Sequence, residues 1–256
     1  MTRRRVAAAL LLGAPLVFLG VLGVQAVLAA RAEYLPDDPG YLIEATVVPG
    51  AGGAGEPLRL VMLGDSTVAG VGSPRLEQSL PVLVAQRVSD ILGRPVEVRG
   101  LGVSGARTDT VRTEQLPRLT DAGVDAIVIV VGSNDVTHLT SPEAITERTR
   151  RTLRAARDAA PGAVVVLGGI PLFGSADALS QPLRWVVDRY ADVLRPRQRA
   201  AARSVDGVTY VDIATEASPR FAGVPEAMSS DGFHPAPVGY GFWADALARG
   251  VVEALG

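Results

Sequence analysis

The chain has 256 residues, 25 of them basic and 27 acidic, for a formal net charge of -2, and it contains no cysteine. So balanced a charge does not point to a nucleic-acid partner. The lack of cysteine excludes disulfides, thiolate metal sites, a cysteine nucleophile and a lipid-modified N-terminal cysteine.

The first element is apolar. Arg3-Arg4-Arg5 precedes an uncharged run from Val6 to Ala30, which at 1.5 Å per residue is long enough for a hydrocarbon core of roughly 30 Å. A retained transmembrane anchor would keep the three arginines in the cytoplasm. A cleavable signal peptide is the competing reading, because Ala30-Arg31-Ala32 has the small-x-small form of a cleavage site. The run exceeds the usual signal core of about 7 to 15 residues, which favours the anchor. Both readings place the rest of the chain outside the cytoplasm, at the membrane or secreted.

Residues 31–57 shift to Pro, Gly, Ala and scattered acids, including Pro49-Gly50-Ala51-Gly52-Gly53-Ala54-Gly55. Such a stretch buries little apolar area, so it is expected to be a flexible linker. Its apolar members Tyr34, Tyr41, Leu42 and Ile43 have two destinations open, the domain surface or the membrane surface.

From residue 58 to 256 strands alternate with helices. Strands are expected at Leu58–Leu63, Val96–Arg99, Ala126–Val131, Val164–Leu167 and Val208–Ile213, the third a continuous apolar run of the kind buried on both faces. Helices fit at Gln78–Leu92, Thr108–Leu119, Pro142–Ala159, Leu183–Arg203 and Val238–Leu255. This alternation predicts one α/β domain with a doubly wound, five-stranded parallel sheet. Ligands of such sheets bind beyond the carboxyl ends of the strands. Ser66, Gly105 and Asn134 each lie just after a strand and therefore share that rim.

A serine attacks an ester only when a base takes its proton and fixed donors meet the oxyanion. His234 is one of two histidines and follows Asp231 by three residues, close enough in a turn for the carboxylate to hold the ring tautomer. The backbone N–H groups of Ser66 and Gly105 and the side-chain amide of Asn134 supply oxyanion donors. Each residue alone has a plainer role: Ser66 and Asp231 as caps, Gly105 as a turn glycine, Asn134 in an Asx-turn. Together they assemble the groups that serine-dependent acyl transfer needs.

The segments Gly64-Asp65-Ser66, Ser104-Gly105, Gly132-Ser133-Asn134-Asp135 and Asp231-Gly232-Phe233-His234-Pro235 resemble the four sequence blocks of the SGNH/GDSL hydrolase family. The resemblance runs from Leu58 to Leu255. It implies a flavodoxin-like three-layer α/β/α sandwich, with Ser66 as nucleophile, His234 as base, Asp231 as its partner, and Ser66, Gly105 and Asn134 as the oxyanion hole. One position departs from the family pattern. Its second block usually begins with Asn, and Gly100 stands there, removing a structural hydrogen bond of the loop and no catalytic role.

The implied activity is a serine-dependent carboxylic ester hydrolase, an esterase, lipase or deacetylase, acting on a small-molecule, lipid or glycan ester. With an acceptor alcohol in place of water the same residues would make an acyltransferase. An inactive envelope-binding domain is the non-enzymatic alternative. Gly100-Leu101-Gly102-Val103-Ser104-Gly105 also matches a dinucleotide fingerprint with Asp125 following, but that acid should end a strand and Asp125 begins one. No His, Asp or Glu cluster has metal spacing, so neither a metal nor another cofactor is expected. His138 is expected at the surface, and Asp135 as a brace of its own loop. Residues 169–182 form a candidate rim over the pocket, with Leu172, Phe173 and Leu179 as candidate acyl contacts.

Overall fold

The computed structural model describes residues 3–119 and 123–256, with side chains from residue 15 onward. The strands are β1 (Glu44–Val47), β2 (Leu58–Gly64), β3 (Val96–Gly100), β4 (Ala126–Val130), β5 (Val164–Gly168) and β6 (Val208–Val211). The helices are α1 (Arg3–Ala30), α2 (Ser66–Ala69), α3 (Leu80–Leu92), α4 (Thr108–Thr110), α5 (Ser133–Thr137), α6 (Pro142–Ala159), α7 (Leu183–Arg203), α8 (Ile213–Glu216) and α9 (Pro237–Leu255). The helix expected over residues 108–119 is broken into short turns, the last containing Pro117, which cannot donate a helical hydrogen bond.

The strands form one sheet in the order β1-β3-β2-β4-β5-β6. Strands β2 to β6 are parallel, and their order reverses beside β2, which lies between β3 and β4. The expected five-stranded parallel sheet is therefore corrected to a mixed sheet of six. Residues 44–47, read from sequence as part of a flexible linker, pair antiparallel with the outer edge of β3, from Glu44 opposite Arg99 to Val47 opposite Val96. The physical reason is local. Ala45 and Val47 alternate with polar residues and pack on the core, Ile43 is buried, and the pairing covers backbone groups that an open edge would expose.

Period-two alternation builds the three layers. In β4, Ala126, Val128 and Val130 face α3 and α9, while Ile127 and Ile129 face α6 and α7. Each of those isoleucines is fully buried, a contribution of about 1.5–3 kcal/mol per side chain relative to exposure. Helix α6 begins where Ser141 Oγ accepts the Ala144 N–H at 3.2 Å and Pro142 takes the first turn. Rigid strands on both sides of the order reversal thus aim three loops at one rim.

Among the described residues no helix is long and apolar enough to cross a membrane. The first part of the expected anchor, residues 6–14, has side chains outside those described. The far end of α1 rests on the domain: Gln25 Nε2 donates to the Gln181 carbonyl at 2.6 Å, and the Leu183 N–H donates to Gln25 Oε1 at 3.0 Å.

Candidate active site

The loop after β2 presents the serine. Asp65 Oδ1 accepts the Thr67 N–H at 3.0 Å and the Thr67 hydroxyl at 2.8 Å, which caps α2 and fixes Ser66 as its first residue. Ser66 is 7% exposed. Burial raises the Asp65 carboxyl above its ordinary range, against the lowering effect of the two Thr67 bonds.

His234 reaches Ser66 from the opposite end of the chain. Its Nε2 lies 3.0 Å from Ser66 Oγ, and its Nδ1 lies 2.6 Å from Asp231 Oδ2. An ionised Asp231 fixes the tautomer: Nδ1 carries the proton toward the carboxylate, and Nε2 is left to accept from the serine. Burial of Asp231 disfavours its charge, but bonds from the His234 ring and from the Phe233, His234 and Leu35 N–H groups outweigh it and hold the carboxyl below its ordinary range. The turn is stiff. The Ser229 N–H donates to the His234 carbonyl and Ala236 N–H to the Ala227 carbonyl, both at 2.9 Å, while Ala178 N–H donates to the Gly232 carbonyl at 3.0 Å.

The expected oxyanion donors sit on the loops after β3 and β4. The Ser66 and Gly105 N–H groups have no acceptor among the described residues. Gly105 has φ of +74°, a conformation that favours glycine, and a Cβ there would point into open space. Asn134 Nδ2 donates to the Ala106 carbonyl at 3.0 Å, which orients the amide and leaves its second N–H free to donate. Asp135 braces this corner as expected. Its Oδ2 accepts the Thr108 N–H and hydroxyl, both at 2.8 Å, and Arg148 lies 3.5 Å from its other oxygen.

A cavity of about 680 Å³ opens beside these groups and touches Ser66, Asn134 and His234. Leu172, Phe173, Phe221, Met228 and Trp243 give it an apolar wall. Two of the three candidate acyl contacts, Leu172 and Phe173, line it; Leu179 does not, being buried in the cluster between α5, α6 and α7. His138 is exposed, with Nδ1 2.9 Å from its own helix at the Asn134 carbonyl. Asp125 sits at the opposite end of the sheet, where its Oδ2 accepts the Arg59 N–H at 2.8 Å.

Sequence reasoning missed two supports. Gln115 is fully buried: its Oε1 accepts the Gly64 N–H at 2.8 Å and its Nε2 donates to the Gly64 carbonyl at 2.7 Å, extending the β2 ladder up to the serine turn. Gln198 does the same for the next loops, bridging the Val131 carbonyl at 2.9 Å and the Ile170 N–H at 3.0 Å. A glutamine within a helical stretch carries no signal separating a solvated position from a backbone clamp.

The chain has clear relatives. The model of the GDSL-like Lipase/Acylhydrolase family matches residues 62–242. The GDSL-like esterase Rv1075c of Mycobacterium tuberculosis is 32% identical over 201 residues, covering 77% of this chain and 63% of that protein. The chain thus spans less than two thirds of this relative's length. Among solved structures, phospholipase A1 from Streptomyces albidoflavus NA297 superposes with a TM-score of 0.57 at 22% identity, over 76% of this chain and 99% of that one. The acetylxylan esterase Axe2 from Geobacillus stearothermophilus gives 0.53 at 19% identity, over 78% and 95%. At these identities the two structures show a shared fold.

Proposed function

This chain belongs to the GDSL-like lipase/acylhydrolase family, and from that premise we propose that it is a serine-dependent carboxylic ester hydrolase working through an acyl-enzyme. The observation that carries this reading is the relay from Asp231 Oδ2 through both nitrogens of His234 to Ser66 Oγ, with steps of 2.6 and 3.0 Å. In the first half-reaction Ser66 Oγ attacks the ester carbonyl as His234 Nε2 takes its proton. The oxyanion rests on the N–H groups of Ser66 and Gly105 and on Asn134 Nδ2. Collapse expels the alcohol, protonated by His234. In the second half-reaction water, deprotonated by His234, attacks the acyl-serine, and the acid leaves with Ser66 restored.

Asp231 is the fixed negative charge of this scheme, holding the ring and offsetting the positive charge it gains. The apolar wall beside Ser66 suits an acyl group. The domain works outside the cytoplasm, anchored by or processed from the N-terminal helix; this part of the proposal rests on Arg3-Arg4-Arg5 preceding the uncharged run. Ser66→Ala tests the chemistry: hydrolysis of short p-nitrophenyl esters falls by at least about 10³-fold at unchanged melting temperature. Activity retained in that variant refutes the assignment.

A further inference from the structure

The segment after α1 crosses the catalytic groups. The Leu35 N–H donates to Asp231 Oδ2 at 3.2 Å, the same oxygen that faces His234 Nδ1. The Tyr34 ring meets Phe233 edge-on with centroids 5.4 Å apart and His234 at 6.5 Å. Two residues beyond Leu35, Asp37 accepts the Ser104 hydroxyl at 2.5 Å, on the loop that carries Gly105.

Both ends of this crossing are tied down. Upstream, the Tyr34 hydroxyl donates to the Ala29 carbonyl at 2.9 Å, and Gln25 holds residues 181 and 183. Downstream, the Tyr41 hydroxyl donates to the Ser73 carbonyl at 2.8 Å, and the Ile43 carbonyl accepts the Gly100 N–H at 2.9 Å. Pro36 and Pro39 restrict the unfolded chain between those ties, so less entropy is lost on ordering it.

The chemistry of the contact is specific. Asp231 Oδ1 accepts the Phe233 and His234 N–H groups at 2.9 and 3.0 Å, and Oδ2 accepts Leu35 N–H and the histidine ring. Four donors on two oxygens fill the carboxylate's bonding positions and stop its rotation. The Asp231 side chain is 2% exposed beneath this cover.

We infer that residues 34–37 are a positioning strap of the catalytic site, locking Asp231 on one side and the Ser104–Gly105 loop on the other, so that full turnover requires the segment directly following the N-terminal helix. This rests on the roles proposed above for Ser66, His234 and Asp231. The strap acts through those groups and touches no substrate. Residues 34–37 are not among those lining the 680 Å³ cavity, and the Leu35 N–H donates to the Asp231 carboxylate, so loss of that bond falls on kcat and leaves KM alone.

The test compares Leu35→Pro, which removes the N–H, with Leu35→Ala, which keeps it, in the full chain with p-nitrophenyl acetate. Leu35→Pro lowers kcat about tenfold with KM unchanged, and Leu35→Ala stays within about twofold of the native enzyme, as expected for one lost hydrogen bond to a charged group. Tyr34→Ala, which keeps the N–H and removes the strap's tie to the Ala29 carbonyl and its packing on Phe233, lowers kcat about threefold and serves where Leu35→Pro does not melt cooperatively. Native kcat in a folded Leu35→Pro, or in Tyr34→Ala should Leu35→Pro be unfolded, overturns the strap. Ser66→Ala run alongside separates the failures: activity in Ser66→Ala refutes the hydrolase reading, whereas an inactive Ser66→Ala beside a fully active Leu35→Pro refutes the strap alone.

Discussion

Replacing Gln115 with Leu isolates the clamp beneath the serine turn. The side chain is fully buried, and leucine is close to it in volume, so the cavity contribution is small. The Gly64 carbonyl keeps a second partner in the Val103 N–H at 3.1 Å, but the Gly64 N–H loses its acceptor. An orphaned buried donor costs about 1–3 kcal/mol. In a domain of this size 1 kcal/mol corresponds to about 2–4 °C, so the melting temperature falls by about 2–12 °C. Gly64 stands two residues before Ser66, so kcat should fall in parallel when measured well below the melting transition. Calorimetry with ester hydrolysis on the same sample gives both numbers. A melting temperature within about 1 °C of the native value refutes the reasoning, because it means the N–H finds another acceptor or was never isolated from water.

Three further variants probe the site and its support. Asp231→Asn loses the charge that fixes the His234 tautomer, and kcat falls by about 10³ to 10⁴-fold; a native rate at pH 8 removes Asp231 from the relay. Asp65→Asn keeps Oδ1 as the cap for Thr67 and deletes a buried charge. The Asp65 carboxyl is raised above its ordinary value of 3.8, so its contribution to stability is fully present below that value and is lost as pH rises through the folded value. The stability of Asp65→Asn relative to the native chain therefore improves from about pH 4 to pH 8, and denaturant titration at the two pH values showing the opposite trend contradicts the burial argument. Asp231 has the opposite sign: its lowered carboxyl stabilises the fold above its ordinary value and loses that contribution as pH falls through the folded value. Finally, a Cβ at position 100 would lie 2.8 Å from Ile43 Cγ2, so Gly100→Asn destabilises by about 1–3 kcal/mol through overpacking. Adding Ile43→Ala to Gly100→Asn restores part of that loss in thermal melts; a double variant no better than the single removes Ile43 as the cause.

The parallel strands and the long helices were legible because their signals are periodic. Continuous apolar runs such as Ala126–Val130 and the amphipathic pattern of Pro142–Ala159 follow from burial on two faces or one. Ser66, Asp231 and His234 were legible for another reason: a hydroxyl, an imidazole and a carboxylate at loop positions have little structural use together. The segment from Tyr34 to Val47 was misread. Its Pro and Gly content resembles a linker, yet its order comes from single contacts to distant partners, Leu35 to Asp231, Asp37 to Ser104 and Ile43 over Gly100. No window of local sequence contains both members of such pairs. The same contacts account for the missing Asn of the second block, since Ile43 occupies the space beside Gly100 that a side chain would need. A fragment begun at residue 57 would lack the strap and β1.

The central claim is that His234 and the loop donors make the Ser66 hydroxyl a nucleophile. A fluorophosphonate probe reads this directly, since it phosphonylates an activated serine and leaves unactivated hydroxyls alone. Incubated with the full chain and mapped by peptide mass spectrometry, the probe should label Ser66, with labelling abolished in His234→Ala and greatly slowed in Asp231→Asn. A folded native chain that takes no label at Ser66, or a His234→Ala variant labelled at the native rate, contradicts the account.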